Sequence, residues 1–160
     1  GKVILIGEPE ARLALGKQLG ADVVLNLASM SQEALLEEVK SLTAGRGADV
    51  VIEASGNPLA VSQGLEMIRD GGTYVVAGHY TDAGGIQVNP HLDINKKHVV
   101  VKGQWGTEFQ HLVGALAVLE KHRERLPFAS VIGASYSLLT AGEALKDVEK
   151  LTVTKAIIEP

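Results

Sequence analysis

The amino-acid sequence predicts an α/β fold, an open parallel sheet wound with helices on both faces. Three observations lead there. Short apolar runs recur along the chain (VILI, VVL, ADVVIE, TYVVA, VVV). Longer stretches with apolar residues at helical spacing separate most of them. Turn residues, glycine above all, mark the changeovers. Strands that alternate with helices argue for crossover units, and such crossovers join parallel strands.

In chain order, Val3 to Ile6 is a continuous apolar run, the mark of a strand buried on both faces, and Gly7 ends it. Residues 9 to 19 follow as a helix, with Leu15 and Leu19 one turn apart and Gly20 as its stop. Val23 to Leu25 is a second strand. Ser31 to Leu42 reads as a helix capped by Ser31, with Leu35, Leu36 and Val39 on one face. Ala48 to Glu53 is a third strand, Pro58 to Arg69 a helix, and Asp70-Gly71-Gly72 its exit turn. Thr73 to Ala77 and Val99 to Val101 are the fourth and fifth strands. Between them residues 79 to 97 are loop-rich, with a short strand expected at Ile86-Gln87-Val88. Glu108 to His122 is a helix, Ala129 to Tyr136 is extended, Ala141 to Leu151 is a short helix, and Val153 to Ile158 is a last strand.

Composition bounds the function. The chain has 160 residues, the size of one ordinary domain, and 46% of them are hydrophobic. A net charge of -4 offers no basic field to nucleic acid. No apolar run reaches the ~18 residues of a membrane span. No signal-peptide pattern is seen, so a cytoplasmic location is the default expectation. With no cysteine there is neither a disulfide nor a thiolate zinc site. A start at Gly1-Lys2-Val3, without Met and directly in a strand, suggests an excised domain or a proteolytic product. His79, His91, His98, His111 and His122 show no metal-ligand spacing, and no Gly-x-Ser-x-Gly elbow is present. Asp49, at the opening of a strand, is assigned a turn role.

Open parallel sheets bind ligands outside the carboxyl ends of their strands. The candidate positions are therefore Gly7-Glu8, Ser55-Gly56, Ala77-Gly78-His79 and Gly103-Gln104-Trp105, each just past a strand and each containing a glycine. From the pattern alone they read equally as ordinary turns or as one edge long enough for a dinucleotide.

Four stretches together carry a family resemblance: VILIGEPEARLALGKQLGADVVLNL at 3–27, TAGRGADVVIEASGNPLAVSQGLEMIRDGGTYVVAGHY at 43–80, VVKGQWG at 100–106 and AGEALKDVEKLTVTKAIIEP at 141–160. In this order they resemble the cofactor-binding portion of zinc-type, medium-chain alcohol dehydrogenases. The resemblance implies a Rossmann-like, doubly wound parallel sheet that lacks the family's first strand, Gly-rich loop and first helix. It also implies one truncated dinucleotide-binding domain over 1–160, in which 128–160 is the segment that returns toward the catalytic domain. Removing the central strand would leave unpaired backbone groups costing about 1–3 kcal/mol each. A sheet that closed up would take the flavodoxin-like strand order 2-1-3-4-5.

The site roles follow from the same resemblance. Where the family has an acidic residue on the adenosine ribose, this chain has Gly7, with Glu8 one position later. Arg12 matches a cation near the adenine or its 2′-phosphate, so NAD and NADP both remain open. Ser55 and Gly56 match the turn beside the adenine-side ribose, and Ala77, Gly78 and His79 the turn against the nicotinamide. Gln104 and Trp105 match the stretch whose backbone bonds the carboxamide. Lys155 matches a basic residue of the last strand near the pyrophosphate. No catalytic or metal residue is assigned, and zinc is expected only in a catalytic domain absent from this sequence.

The implied parent activity is hydride transfer between NAD(P) and an alcohol or ketone, the isolated chain being inactive and a weak binder without its pyrophosphate seat. Ile86-Gln87-Val88 matches an edge strand that pairs two subunits, so a homodimer is expected. The alternatives are a non-catalytic α/β folding module and a zinc-free quinone or enoyl reductase of the same superfamily.

Overall fold

A computed structural model describes all residues 1–160. In chain order its elements are β1 (Ile4–Gly7), α1 (Glu10–Gln18), β2 (Val23–Asn26), α2 (Gln32–Leu42), β3 (Ala48–Glu53), α3 (Pro58–Met67) and β4 (Ile68–Val76). A π-helical turn at Pro90–Asn95 leads to β5 (Val100–Gly103), α4 (Phe109–His122), β6 (Ala134–Ser137), α5 (Ala141–Glu149) and β7 (Ala156–Glu159). The α/β class and the parallel strands agree with the sequence reading, since every strand pair is parallel.

The chain divides into two compact units, one of residues Gly1–Met30 with Glu108–Pro160 and one of Ser31–Thr107. In the first unit β1 pairs with β2 from Ile4↔Val23 to Gly7↔Asn26, and α1 makes the crossover. β6 and β7 form a second pair joined through α5. Leu13 of α1, Leu25 of β2 and Ala144 of α5 are buried. The apolar positions Leu112, Leu116 and Leu119 of α4 stay exposed, so this helix buries no face of its own.

The second unit holds the three-stranded sheet β3-β4-β5. Local chemistry starts its helices. The Ser31 hydroxyl accepts from the Ala34 N–H at the head of α2, as the sequence predicted. The Asn57 side chain accepts from the Leu59 N–H at the head of α3, where Pro58 supplies a pre-set φ. Leu65, Ile68, Tyr74 and Val99 form the core of this unit, with Val51, Val61, Val76 and Val88 packed against it.

Several expectations are corrected. The flavodoxin-like order 2-1-3-4-5 is not formed, because no ladder joins β1 to β3 and the strands stand in three separate sheets. Every ladder present joins strands consecutive in the chain. Nor are the apolar strands buried on both faces. Val50 and Ile52 of β3 are 56% and 66% exposed, whereas Val51 is half-buried and Glu53 buried, so within this unit only one face of the strand is covered.

The helix expected to reach Arg69 stops at Met67. Ile68 already pairs with Ala48, and the next pair is Val50↔Thr73, so Asp70-Gly71-Gly72 lies in a bulge inside β4 and is not an exit turn. Arg69 Nε bonds Asp49 Oδ1 across this bulge at 2.5 Å, which places Asp49 in an exposed ion pair. Residues 86–88 carry no strand pairing, although Ile86 and Val88 are half-buried and Gln87 is exposed. The last strand begins at Ala156, which leaves Lys155 before it. In the stretch between α5 and β7 the Thr152 hydroxyl donates to the Asp147 carbonyl, and the Thr154 hydroxyl donates to the distant Val131 carbonyl.

In the second unit α3 packs against β4 at Gly64, with no room for a side chain. A Cβ there would stand 2.5 Å from Tyr74 Oη, and that hydroxyl donates to the Ala60 carbonyl at 3.1 Å. Gly64→Ala should therefore lower stability by about 1–3 kcal/mol, the usual range for overpacking a filled site. Urea unfolding of the full chain measures it, and an unchanged midpoint would contradict this packing.

Candidate functional site

The carboxyl ends of β3 and β4 meet around one buried side chain, Glu53, which is 4% exposed. Residues 51 and 53 share the covered side of β3, so the last residue of the strand points inward. Its Oε1 accepts from the Ser55 N–H at 2.6 Å, the Ser55 hydroxyl at 2.8 Å and the Gly56 N–H at 2.7 Å. Its Oε2 accepts from the Gly78 N–H at 3.1 Å and lies 3.5 Å from His79 Nε2. The Glu53 backbone carbonyl accepts from the N–H groups of Ala77 and Gly78 as well. One residue thus ties together two turns that the sequence separates.

Glycine is required where these turns touch. Gly56 has φ +73°, and a Cβ on it would lie 2.8 Å from the Gly78 oxygen. A Cβ on Gly78 would collide with the Gly56 nitrogen and stand 2.7 Å from the Ala54 carbonyl carbon. Neither contact leaves room for a side chain, because both partners are backbone.

Burial pushes the Glu53 carboxyl up, but the hydrogen bonds from Ser55, Gly56 and Gly78 outweigh it and hold the group below the usual glutamate range. Burial, with the Glu53 charge behind it, raises the Tyr74 phenol well above its ordinary value. His79 Nε2 is buried and has no hydrogen-bond partner.

The structure brings five of the expected residues into this cluster: Ser55, Gly56, Ala77, Gly78 and His79. Gln104 joins the neighbouring strand end, its N–H donating to the Val76 carbonyl at 2.9 Å. Trp105 stacks obliquely on Tyr80, with ring centroids 5.7 Å apart. Both rings are largely exposed, which leaves aromatic faces open to solvent at the ends of β4 and β5. Gly7, Glu8, Arg12 and Lys155 lie in the other unit. There Gly7 closes β1, Glu8 is exposed after it, and Arg12 is half-buried on α1. Lys155 is exposed, its carbonyl accepting from Gly133. Of the remaining histidines, His111 caps α4 through Nδ1, accepting from the Glu108 N–H. A shallow groove lined by Gln87, Val88, Asn89, Pro90 and Asp93 contains none of the expected cofactor-binding residues.

Sequence reasoning missed Glu53 and Tyr80. The signal for Glu53 was present: an acid at an inward position of an apolar strand, directly before Ala-Ser-Gly. No three His, Asp or Glu side chains cluster as a metal site, so these residues do not fit a zinc ion and no step through zinc is derived from them. The small-residue turns and open aromatic faces do fit a flat ring and a sugar laid along the strand ends.

The family model for zinc-binding dehydrogenases matches residues 1–121. The chain belongs to the zinc-binding dehydrogenase family. An L-threonine 3-dehydrogenase of Symbiobacterium thermophilum is 34% identical over 151 residues, covering 87% of this chain and 41% of that protein. A 5-exo-hydroxycamphor dehydrogenase of Pseudomonas putida is 27% identical over 98% of this chain and 43% of its own length. In structure, an alcohol dehydrogenase from Thermotoga maritima superposes with a TM-score of 0.92 at 30% identity, over 100% of this chain and 43% of that one. This zinc-binding dehydrogenase chain therefore spans less than half the length of the relatives it matches.

Two measurements test the cluster. Gly78→Ala should cost about 1–3 kcal/mol through backbone displacement; full stability in this variant would contradict the contact with Gly56. Because the folded Glu53 carboxyl is depressed, its contribution is complete above the unfolded value of ~4.3 and is lost as pH falls below it toward the folded value. The urea midpoint of the wild type should therefore drop more steeply than that of Glu53→Gln between about pH 5 and pH 3, and parallel curves would exclude a depressed Glu53.

Proposed function

We propose that this chain is the dinucleotide-binding part of an oxidoreductase that transfers a hydride between NAD(P) and an alcohol or ketone. The observation that carries the reading is the paired turn Ser55-Gly56 and Ala77-Gly78-His79, held without side-chain bulk at the carboxyl ends of two parallel strands. Membership of the zinc-binding dehydrogenase family supports it. So do relatives named for dehydrogenation of threonine, hydroxycamphor and alcohols.

In this reading the dinucleotide supplies hydride acceptance and donation when bound, and the chain supplies position. Ser55 and Gly56 lie beside the adenine-side ribose; Ala77, Gly78 and His79 back the nicotinamide; Gln104 and Trp105 offer backbone to the carboxamide. Glu8 accepts from the adenosine ribose in place of the acid that Gly7 lacks, and Arg12 stands near the adenine or its 2′-phosphate. Lys155 approaches the pyrophosphate. Residues 128–160 return toward a catalytic domain that holds the zinc and lies outside these residues. Pairing of Ile86–Val88 with its twin makes a homodimer, which the half-buried, exposed, half-buried alternation of that segment supports. No helix is long and apolar enough to cross a membrane, and a cytoplasmic location belongs to the same proposal.

Calorimetric titration of the intact protein with NAD and with NADP tests this reading. Glu8→Gln should weaken NAD about tenfold and Arg12→Ala should weaken NADP by a similar factor, each the loss of one charge-assisted contact. Absence of binding for both dinucleotides would overturn the assignment.

A further inference from the structure

We infer that Glu53 is a positioning residue: its carboxylate fills the nest of N–H groups made by the β3 and β4 turns and so fixes the wall against which a dinucleotide lies. The ligand in this statement rests on the function proposed above, whereas the nest rests on geometry alone.

The N–H groups of Ser55, Gly56 and Gly78 converge on the carboxylate at 2.6, 2.7 and 3.1 Å, and the Ser55 hydroxyl adds a fourth donor at 2.8 Å. They come from two strand ends, and Gly78 follows Glu53 by 25 positions. Converging backbone N–H groups make an anion-binding concavity. Here the anion is built into the chain. Two consequences follow. The turns are held at the spacing that brings Gly56 against Gly78, because each carboxylate oxygen serves a different turn. The N–H groups of Ser55, Gly56 and Gly78 are also used up, so none of the three is left for a phosphate. This stretch of wall suits an uncharged ring or sugar, and a phosphate must be held elsewhere.

Glutamine at position 53 has the same shape but only one acceptor oxygen. Its amide nitrogen would face N–H donors, so one turn loses its side-chain acceptor, Gly78 then keeping only the Glu53 backbone carbonyl.

The test uses the intact protein with Glu53→Gln. Amide exchange should accelerate at Gly78, or at Ser55 and Gly56, by about tenfold or more, as expected for loss of a hydrogen bond to a charged group. Exchange within β4 and β5 should keep its wild-type protection. Titration with the preferred dinucleotide should show a Kd raised about tenfold with unchanged stoichiometry. A purely structural role would instead reduce the fraction of competent sites and leave the Kd of the remainder unaltered. Unchanged exchange at all three amides overturns the nest, and an unchanged Kd with exchange accelerated overturns the positioning role. If the wild type binds neither dinucleotide while exchange in the variant accelerates, the proposed function fails and the nest stands. If Glu53→Gln does not fold, Ser55→Ala removes only the hydroxyl bond and carries the same two measurements. A Kd raised about threefold together with accelerated exchange at Gly56 supports the inference, and an unchanged Kd or unchanged exchange at Gly56 overturns it.

Discussion

The second unit depends on one carboxylate facing backbone N–H groups from two strand ends. Parallel strands leave their terminal N–H and C=O groups pointing past the ladder, where nothing in the sheet pairs them. Glu53 supplies acceptors for three such N–H groups within a buried volume. Without it the N–H groups of Ser55 and Gly56 would lose their acceptor, and that of Gly78 would keep only the Glu53 backbone carbonyl, a cost larger than the gain from one more hydrogen bond. The same group accounts for the glycines beside it, since Gly56 and Gly78 each lie in backbone contact with the other turn.

The covered and uncovered surfaces of the two units follow from how far each crossover reaches. α3 covers one side of β3 and β4, and the core of Leu65, Ile68, Tyr74 and Val99 lies between them. The other side of β3, with Val50 and Ile52, has no cover within its unit. α4 likewise exposes Leu112, Leu116 and Leu119. Sequences that write both faces of a strand as apolar describe a surface meant to be covered twice. This chain covers it once, in a family whose matched relatives are more than twice as long.

Much of the fold was legible because its signals are local. An apolar run bounded by turn residues marked β1, β2, β3 and β5 and the end of β4 within a residue or two, the Ser31 cap marked α2, and Gly20 marked the stop after α1. The bulge at Asp70-Gly71-Gly72 was not legible, because turn residues look alike whether they end a helix or interrupt a strand. The choice was made by Ile68, buried in the core and paired with Ala48. Residues 86–88 and Lys155 were misplaced for a related reason: strand propensity says nothing about whether a partner is within ladder distance.

Apart from the family, which four stretches carry by resemblance, the sequence by itself determined the α/β class, the order of elements and the close-approach glycines Gly56 and Gly78. These depend on periodicity, caps and turn chemistry, which act between residues a few positions apart. Only the tertiary structure decided that β1 and β3 stay unpaired, that Asp49 belongs to an ion pair with Arg69, and that Glu53 is the acceptor joining Ser55-Gly56 to Gly78. An acidic residue at a strand end is ordinary in a sequence. It becomes the centre of a site only when folding carries N–H groups from a second strand to within hydrogen-bond distance of it.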